Sequence, residues 1–146
     1  MTERLIFGAR VPGEIYKTRH VVSAVIVEAG GLVAVMRVGA RHFLPGGGIE
    51  DGESDIETLT REVKEECARA VVIGVCLGQA TFHQYAPAYG GWTIHSTYYR
   101  AAFGPALDAV PEAEHTLLFL SAADASAVLF RRSDAWAITT ALAAGI

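Results

Sequence analysis

From Leu44 to Arg69 the chain reads LPGGGIEDGESDIETLTREVKEECAR, and the rest of the sequence is best read outward from this stretch. Pro45 and the glycines Gly46, Gly47 and Gly48 interrupt regular structure, which predicts a segment where bare backbone can approach a ligand. Ser54-Asp-Ile-Glu57 then has the capping-box pattern, in which the serine hydroxyl and the glutamate carboxylate each satisfy a free backbone donor, and it predicts a helix over 55–68. At about 100° per residue Glu65 and Glu66 fall within about 60° of Glu62, so three carboxylates share one stripe. Ile56, Leu59, Val63 and Cys67 fill the neighbouring apolar stripe. Each like-charge pair at this spacing costs a few tenths of a kcal/mol, and the cost grows as the stripe is pressed toward a core. A divalent cation reverses the sign, because carboxylate oxygens are the hard ligands that Mg²⁺ accepts. The competing reading of the same three acids is a solvated helix face.

The complete spacing is more specific than the stripe. Gly47, five residues, Glu53, seven residues, then Arg61-Glu62-Val63-Lys64-Glu65-Glu66 resembles the signature box of the Nudix (MutT-type) hydrolases, and Leu44 to Ser54 looks like that family's lead-in. The resemblance implies an α/β fold, an α/β/α sandwich with a central mixed β-sheet, over residues 1–146 as a single domain. It also implies hydrolysis of the diphosphate linkage in a nucleoside diphosphate joined to another group X, by water attack at phosphorus, with Mg²⁺ as cofactor and Mn²⁺ as a substitute. By position, Glu62, Glu65, Glu66 and the carbonyl of Gly46 are implied metal ligands. Glu62 is implied to help activate water beside Glu65, and Arg61 to orient carboxylates such as Glu53. Family members often add a carboxylate from a later loop, and Glu112 and Glu114 are the candidates here. Arg37 and Arg41, with His42, stand just before the glycines and are candidates to meet substrate phosphates. The alternative is a non-catalytic nucleotide sensor on the same fold; retention of all three glutamates favours the enzyme.

The family closes its box with glycine and an aliphatic residue, whereas Ala68 and Arg69 stand here. Ala68 is therefore expected to extend the helix by one position, with Arg69 near the negative helix end. The MutT type is implied to read oxidised guanine through an asparagine. This chain contains no asparagine, and Gln79 and Gln84 are its only side-chain amides, so strong preference for 8-oxo-dGTP is not expected.

Away from the box the elements are short. Residues 3–17 suggest a loose strand or hairpin around Pro12-Gly13. The β-branched run from His20 to Glu28 predicts a strand covered on both faces, and Gly30-Gly31 a hairpin into a second strand over 32–38. Further strands are expected at 42–44, 71–85, 92–103 and 114–120. Ser121 is expected to cap a short helix and Ser133 a last helix over 134–144. This order reads as α/β, with helices around a mixed sheet.

Composition bounds the rest. The 146 residues are 51% hydrophobic and 19% charged, too apolar for a disordered chain, and no apolar run has the length of a membrane span. The formal net charge is −4, with eight of the sixteen acids between residues 50 and 66, which argues against a broad surface for long nucleic acid. The expected partner is a small nucleotide, not a membrane. The N-terminus shows no export pattern, so a cytoplasmic setting is expected. Cys67 and Cys76 read as two small buried hydrophobes. His83, Tyr85, Trp92 and His95 are candidates to line a cleft, against ordinary strand packing. Trp136 reads as core, and the Ala, Ile and Leu face beside it is a candidate homodimer contact.

Overall fold

A computed structural model describes residues 5–144; residues 3 and 4 of the expected first element, and the helix end at Gly145, lie outside the described residues. The chain runs β1 (Leu5–Phe7), β2 (Tyr16–Ile26), β3 (Val33–Val38), β4 (Arg41–Phe43), β5 (Gly46–Gly48), α1 (Asp55–Cys67), β6 (Arg69–Ala86), β7 (Gly90–Ala106), β8 (His115–Leu120), α2 (Ala122–Val128) and α3 (Arg132–Ala143). In β2 every residue from Val21 to Ile26 is buried, as the β-branched run requires. Alternate side chains enter different cores. Val22, Ala24 and Ile26 pack with Leu59 of α1, while Val25 packs with Tyr98 and with Ile138 and Ala141 of α3. Helices therefore cover both faces of the sheet, which is the α/β/α sandwich expected from the sequence. Among the described residues no helix is long and apolar enough to cross a membrane.

The central sheet has the order β1-β6-β7-β2-β5 and is mixed. Its β1–β6 and β2–β7 pairs are parallel and the other two are antiparallel. A second, antiparallel sheet has the order β4-β3-β8. The expected hairpin at Gly30-Gly31 is thus only its turn: Glu28 N–H donates to Leu32 O at 2.8 Å, Val27 and Val33 form one bridge, and the strands then part into different sheets. They part because β5 and β7 already occupy the two edges of β2. Likewise, Pro12-Gly13 makes a turn, but β1 pairs with β6 rather than folding back as a hairpin.

Four local readings change. The glycine run is a strand, β5, lying against Val21–Ser23 of β2. A Cβ on Gly46, whose φ is +143°, would overlap the Val22 carbonyl oxygen and lie 2.7 Å from Ser23 Cα, so the residue type that argues against a strand is what admits this one. Ile56 is exposed, because the buried arc of α1 is turned toward Thr58 and Glu66. Cys76 is exposed on β6, while Cys67 is half-buried with its Sγ 3.7 Å from Met36 Sδ. Ser133 does not cap α3, whose N-cap is Arg131 without a side-chain bond; its hydroxyl lies 2.8 Å from the Tyr98 hydroxyl instead.

Ala68 does not extend α1. It is the C-cap, in the left-handed conformation at φ 54° and ψ 38°, with its N–H bonded to Lys64 O and its carbonyl accepting from Leu107 N–H. The turn is imposed by β6, which starts at Arg69 opposite Ala106 of β7. Arg69 leaves the helix end altogether: its Nε donates to Gly104 O at 2.9 Å and its guanidinium lies over Phe103. A left-handed non-glycine residue costs about 1–2 kcal/mol. Ala68→Gly is therefore expected to raise unfolding stability by about 1 kcal/mol, measured by urea titration, with turnover changed less than about tenfold. A loss of stability would mean that the alanine methyl contributes packing that outweighs the strain.

Candidate active site

The phase of α1 is set first. Ser54 and Glu57 form the complete capping box, with both side chain–backbone distances at 3.2 Å. Tyr99 of β7 donates its hydroxyl to Asp55 at 2.6 Å, and Leu59 and Val63 are fully buried. With the helix so fixed, Glu62 and Glu66 face β5. Glu66 is 6% exposed and accepts the Gly46 N–H at 2.9 Å. The Glu62 carboxyl lies against Gly47, where a Cβ would fall on it, so glycine at that position is what lets the acid approach the strand.

Arg61 gathers the remaining acids. Its Nε and Nη2 grip Glu53 bidentately at 2.7 and 2.9 Å, and Nη1 reaches Glu62 at 2.9 Å and Glu65 at 3.4 Å. Nη2 also donates to the Gly48 carbonyl at 3.1 Å, tying helix and strand together. Glu53 in turn accepts from Glu50 N–H and the Thr58 hydroxyl. The paired guanidinium and these donors hold the Glu53 carboxyl down at about 2. Burial pushes the Glu66 carboxyl up to about 8, opposed by the Gly46 N–H and reinforced by the charges of Glu62, Glu112 and Glu65. Burial also raises Glu62, against the pull of Arg61.

Glu66, Gly46 and Gly47 form one wall of a cavity of about 170 Å³ whose other lining includes Arg19, Arg131 and His115. Among the described residues neither Arg19 nor Arg131 has a carboxylate within 4.0 Å, and Arg131 Nε is buried without a hydrogen-bond partner. A buried network braces the same wall from behind. Asp134 of α3 is fully buried, accepts the Leu44 N–H at 3.3 Å and lies 2.7 Å from the Tyr98 hydroxyl.

Residues 17–140 match the family model described as NUDIX domain. The chain belongs to the Nudix family. No curated protein sequence matches it. Among solved structures, a NUDIX hydrolase from Nitrosomonas europaea is similar at TM-score 0.72 and 20% identity, covering 88% of this chain and 90% of that one. A C. elegans Ap4A hydrolase is similar at TM-score 0.67 and 18% identity, covering 88% and 99%. An ADP-ribose pyrophosphatase from Streptococcus suis is similar at 0.66 and 17% identity, covering 87% and 91%. At these identities the likeness is one of fold.

The Nudix box thus brings Glu53, Arg61, Glu62, Glu65, Glu66 and Gly46 into one cluster. Among the described residues no three His, Cys, Asp or Glu side chains converge as a ready cation site; Glu53, Glu62 and Glu65 turn to Arg61. Of the loop acids, Glu112 is beside the cluster: its N–H bonds to Glu65 O, and its carboxylate is 3.0 Å from His115 Nδ1, off the line of a hydrogen bond. Glu114 is exposed and makes no ion pair among the described residues. Arg37 is exposed on β3 and lines neither this cavity nor the one beside it. Arg41 lines that adjoining cavity, its guanidinium carbon over Phe130 at 4.0 Å from the ring centroid. His83 and His95 bond to Thr93 and Thr81 across the sheet, and Tyr85 packs against Tyr16. The reading from sequence passed over Arg19 and Arg131; the alternation Lys17, Arg19, Val21, Ser23 on one face of β2 was the available signal for the first.

These carboxylates set two limbs of a pH profile for the cation-free protein. Glu53, lowered from 4.5 to about 2, stabilises the fold above pH 4.5 and loses that contribution as pH falls toward 2. Glu66, raised from 4.5 to about 8, must be ionised against its burial, so stability declines as pH rises from 4.5 to 8. Urea midpoints measured in a chelator should fall across that second window, and Glu66→Gln should flatten the decline. An unchanged slope in the variant would show that other groups set it.

Proposed function

We propose that residues 1–146 act as a single hydrolase domain that cleaves the diphosphate linkage of a small nucleoside diphosphate derivative in the cytoplasm, by attack of water on phosphorus, with Mg²⁺ or Mn²⁺ held at the carboxylates of α1. One observation carries this: the buried Glu66 carboxylate and two arginines with no carboxylate within 4.0 Å among the described residues line the same cavity. Arginines alone would bind a phosphate, and a buried acid beside them would repel it. The combination suits an anion that arrives together with a cation.

The donor set fits that cation. Its oxygens are hard, and Glu66, which burial drives toward protonation, gains most from a neighbouring positive charge. Glu62, Glu65 and Glu66 would hold it, with the Gly46 carbonyl as a further ligand. When bound, it would offset charge on the phosphate oxygens and make water more acidic. Glu62 takes the proton of the attacking water. Arg61 fixes the directions of Glu62 and Glu65, and Glu53 holds Arg61. Glu112 is the loop carboxylate assigned to the cluster, in preference to Glu114. Arg19 and Arg131 meet the phosphates.

The test is hydrolysis with Mg²⁺ or Mn²⁺ across nucleoside triphosphates, 8-oxo-dGTP, nucleotide sugars, ADP-ribose and dinucleoside polyphosphates, run in heavy-oxygen water. Turnover with the label in a phosphate-containing product is expected. Absence of turnover on the whole panel would overturn the reading and leave a nucleotide-binding fold.

A further inference from the structure

The cavity beside Glu66 does not end at the arginines. Arg19, Phe43 and Arg131 also line a second cavity of about 290 Å³, which extends to Gln84, Trp92 and Phe130. Arg41, Gln84 and Trp92 are shared in turn with a third, of about 260 Å³, reaching Tyr89 at the tip of the β6–β7 hairpin. Strand register explains the continuity. Lys17, Trp92 and Gln84 stand side by side across β2, β7 and β6, and Arg19, Ile94 and Phe82 form the next row on the same face.

The chemistry changes along this cleft. The Glu66 carboxylate lines the first cavity, and Arg19 and Arg131 mark its junction with the second. Beyond them the lining is aromatic, with one amide and one guanidinium. A diphosphate spanning the acids and arginines leaves the outer two cavities free. Trp92 is half-buried, with the ammonium of exposed Lys17 over its ring at 5.6 Å from the centroid, so a base that stacks there displaces or shares that cation, and Gln84 presents donor and acceptor together. The guanidinium carbon of Arg41 lies over Phe130, 4.0 Å from the ring centroid, which keeps the cation at the cleft wall.

Resting on the hydrolase reading above, we propose that the Trp92–Gln84–Arg41 end of the cleft is a ring-binding subsite, which takes the nucleobase of a substrate whose phosphates lie over Arg19 and Arg131. Trp92 supplies the stacking surface and Gln84 contacts the polar edge of the base. The subsite lies more than one strand row beyond the acids, so it selects substrate without entering the chemistry.

The experiment is tryptophan fluorescence of the full chain, titrated with ADP, GDP, CDP and UDP in the presence of Mg²⁺, with inorganic pyrophosphate and ribose 5-phosphate as base-free controls. The chain has two tryptophans, and Trp136 is packed against Phe7 and Tyr98 away from the cleft. Saturable quenching by at least one nucleoside diphosphate, absent with both controls and lost in Trp92→Phe, is expected. On a hydrolysed nucleotide, Trp92→Ala should raise KM by about tenfold or more, the scale of one base–aromatic stack, with kcat changed less than about twofold. Gln84→Ala, a milder change at the same place, should raise KM in the same sense. Quenching by none of the nucleotides, or equal quenching by the base-free controls, overturns the subsite. Turnover without quenching overturns the subsite alone, whereas quenching without turnover on the panel overturns the hydrolase reading alone.

Discussion

Glu66→Gln is expected to lower turnover on any diphosphate substrate by at least about two orders of magnitude, and Glu62→Gln by a similar factor, the scale of losing a charge-stabilising or proton-accepting group. The substitution is conservative in shape. Glutamine at 66 keeps an acceptor for the Gly46 N–H, so β5 stays joined to α1 while the charge disappears. The fold should not suffer. Glu66 stands among Glu62, Glu65 and Glu112, whose charges all oppose its ionisation, and removing it relieves that repulsion. Steady-state kcat with Mg²⁺, beside a urea midpoint without it, separates the two effects. A folded variant with unaltered turnover would remove these carboxylates from the chemistry.

Gly46→Ala should have the largest effect on the fold. Its methyl would overlap a backbone carbonyl of β2, which cannot rotate away as a side chain does, and φ there lies in the region that alanine rarely adopts. The cost is about 3 kcal/mol or more, a substantial part of the stability of an ordinary domain. Relief requires β5 to lift from β2, and that withdraws the Gly46 N–H from Glu66, so turnover of the folded fraction should fall as well. Gly52→Ala is the control: φ is +83° but nothing lies within 4 Å of the added methyl, so about 1 kcal/mol is expected. Urea unfolding of the two variants measures the difference. Equal losses would mean that conformational preference alone matters at Gly46.

Local determinants were legible in the sequence and remote ones were not. Ser54 and Glu57 solve the first turn of α1 between themselves, and the phase that places Glu62 and Glu66 together follows from Leu59 and Val63 without reference to the rest of the chain. The β2 run was legible because β-branched residues in succession suit a strand buried on both faces. Gly46–Gly48 misled because a glycine run is a break by local preference, while here its hydrogen-bond partners come from β2. Ser133 had the look of a cap until Tyr98, on a strand far away, lay against its hydroxyl. Arg19 and Arg131 reach one cavity because the α2–α3 junction is pinned to β4, where Phe130 N–H bonds to His42 O, a contact that no periodicity announces. Ala68 shows the same limit from the other side, since alanine favours helix and the start of β6 overrides it.

The parallel ladder that runs from Tyr16 beside Gly91 to Ile26 beside Ala101 also dictates when the molecule can be built. A growing chain that has completed α1 already owns the glycine strand and all the acids of the box, yet β2 still lacks its neighbour on one side. Closing that gap means bringing together segments separated by half the polypeptide, an entropic toll that places folding among slower, high-contact-order topologies. Until β7 arrives, the apolar Val21–Ile26 segment is a naked edge, open to pairing with another chain. Substitutions that weaken β7 are therefore expected to appear first as aggregation during synthesis, before any defect in the finished protein can be measured.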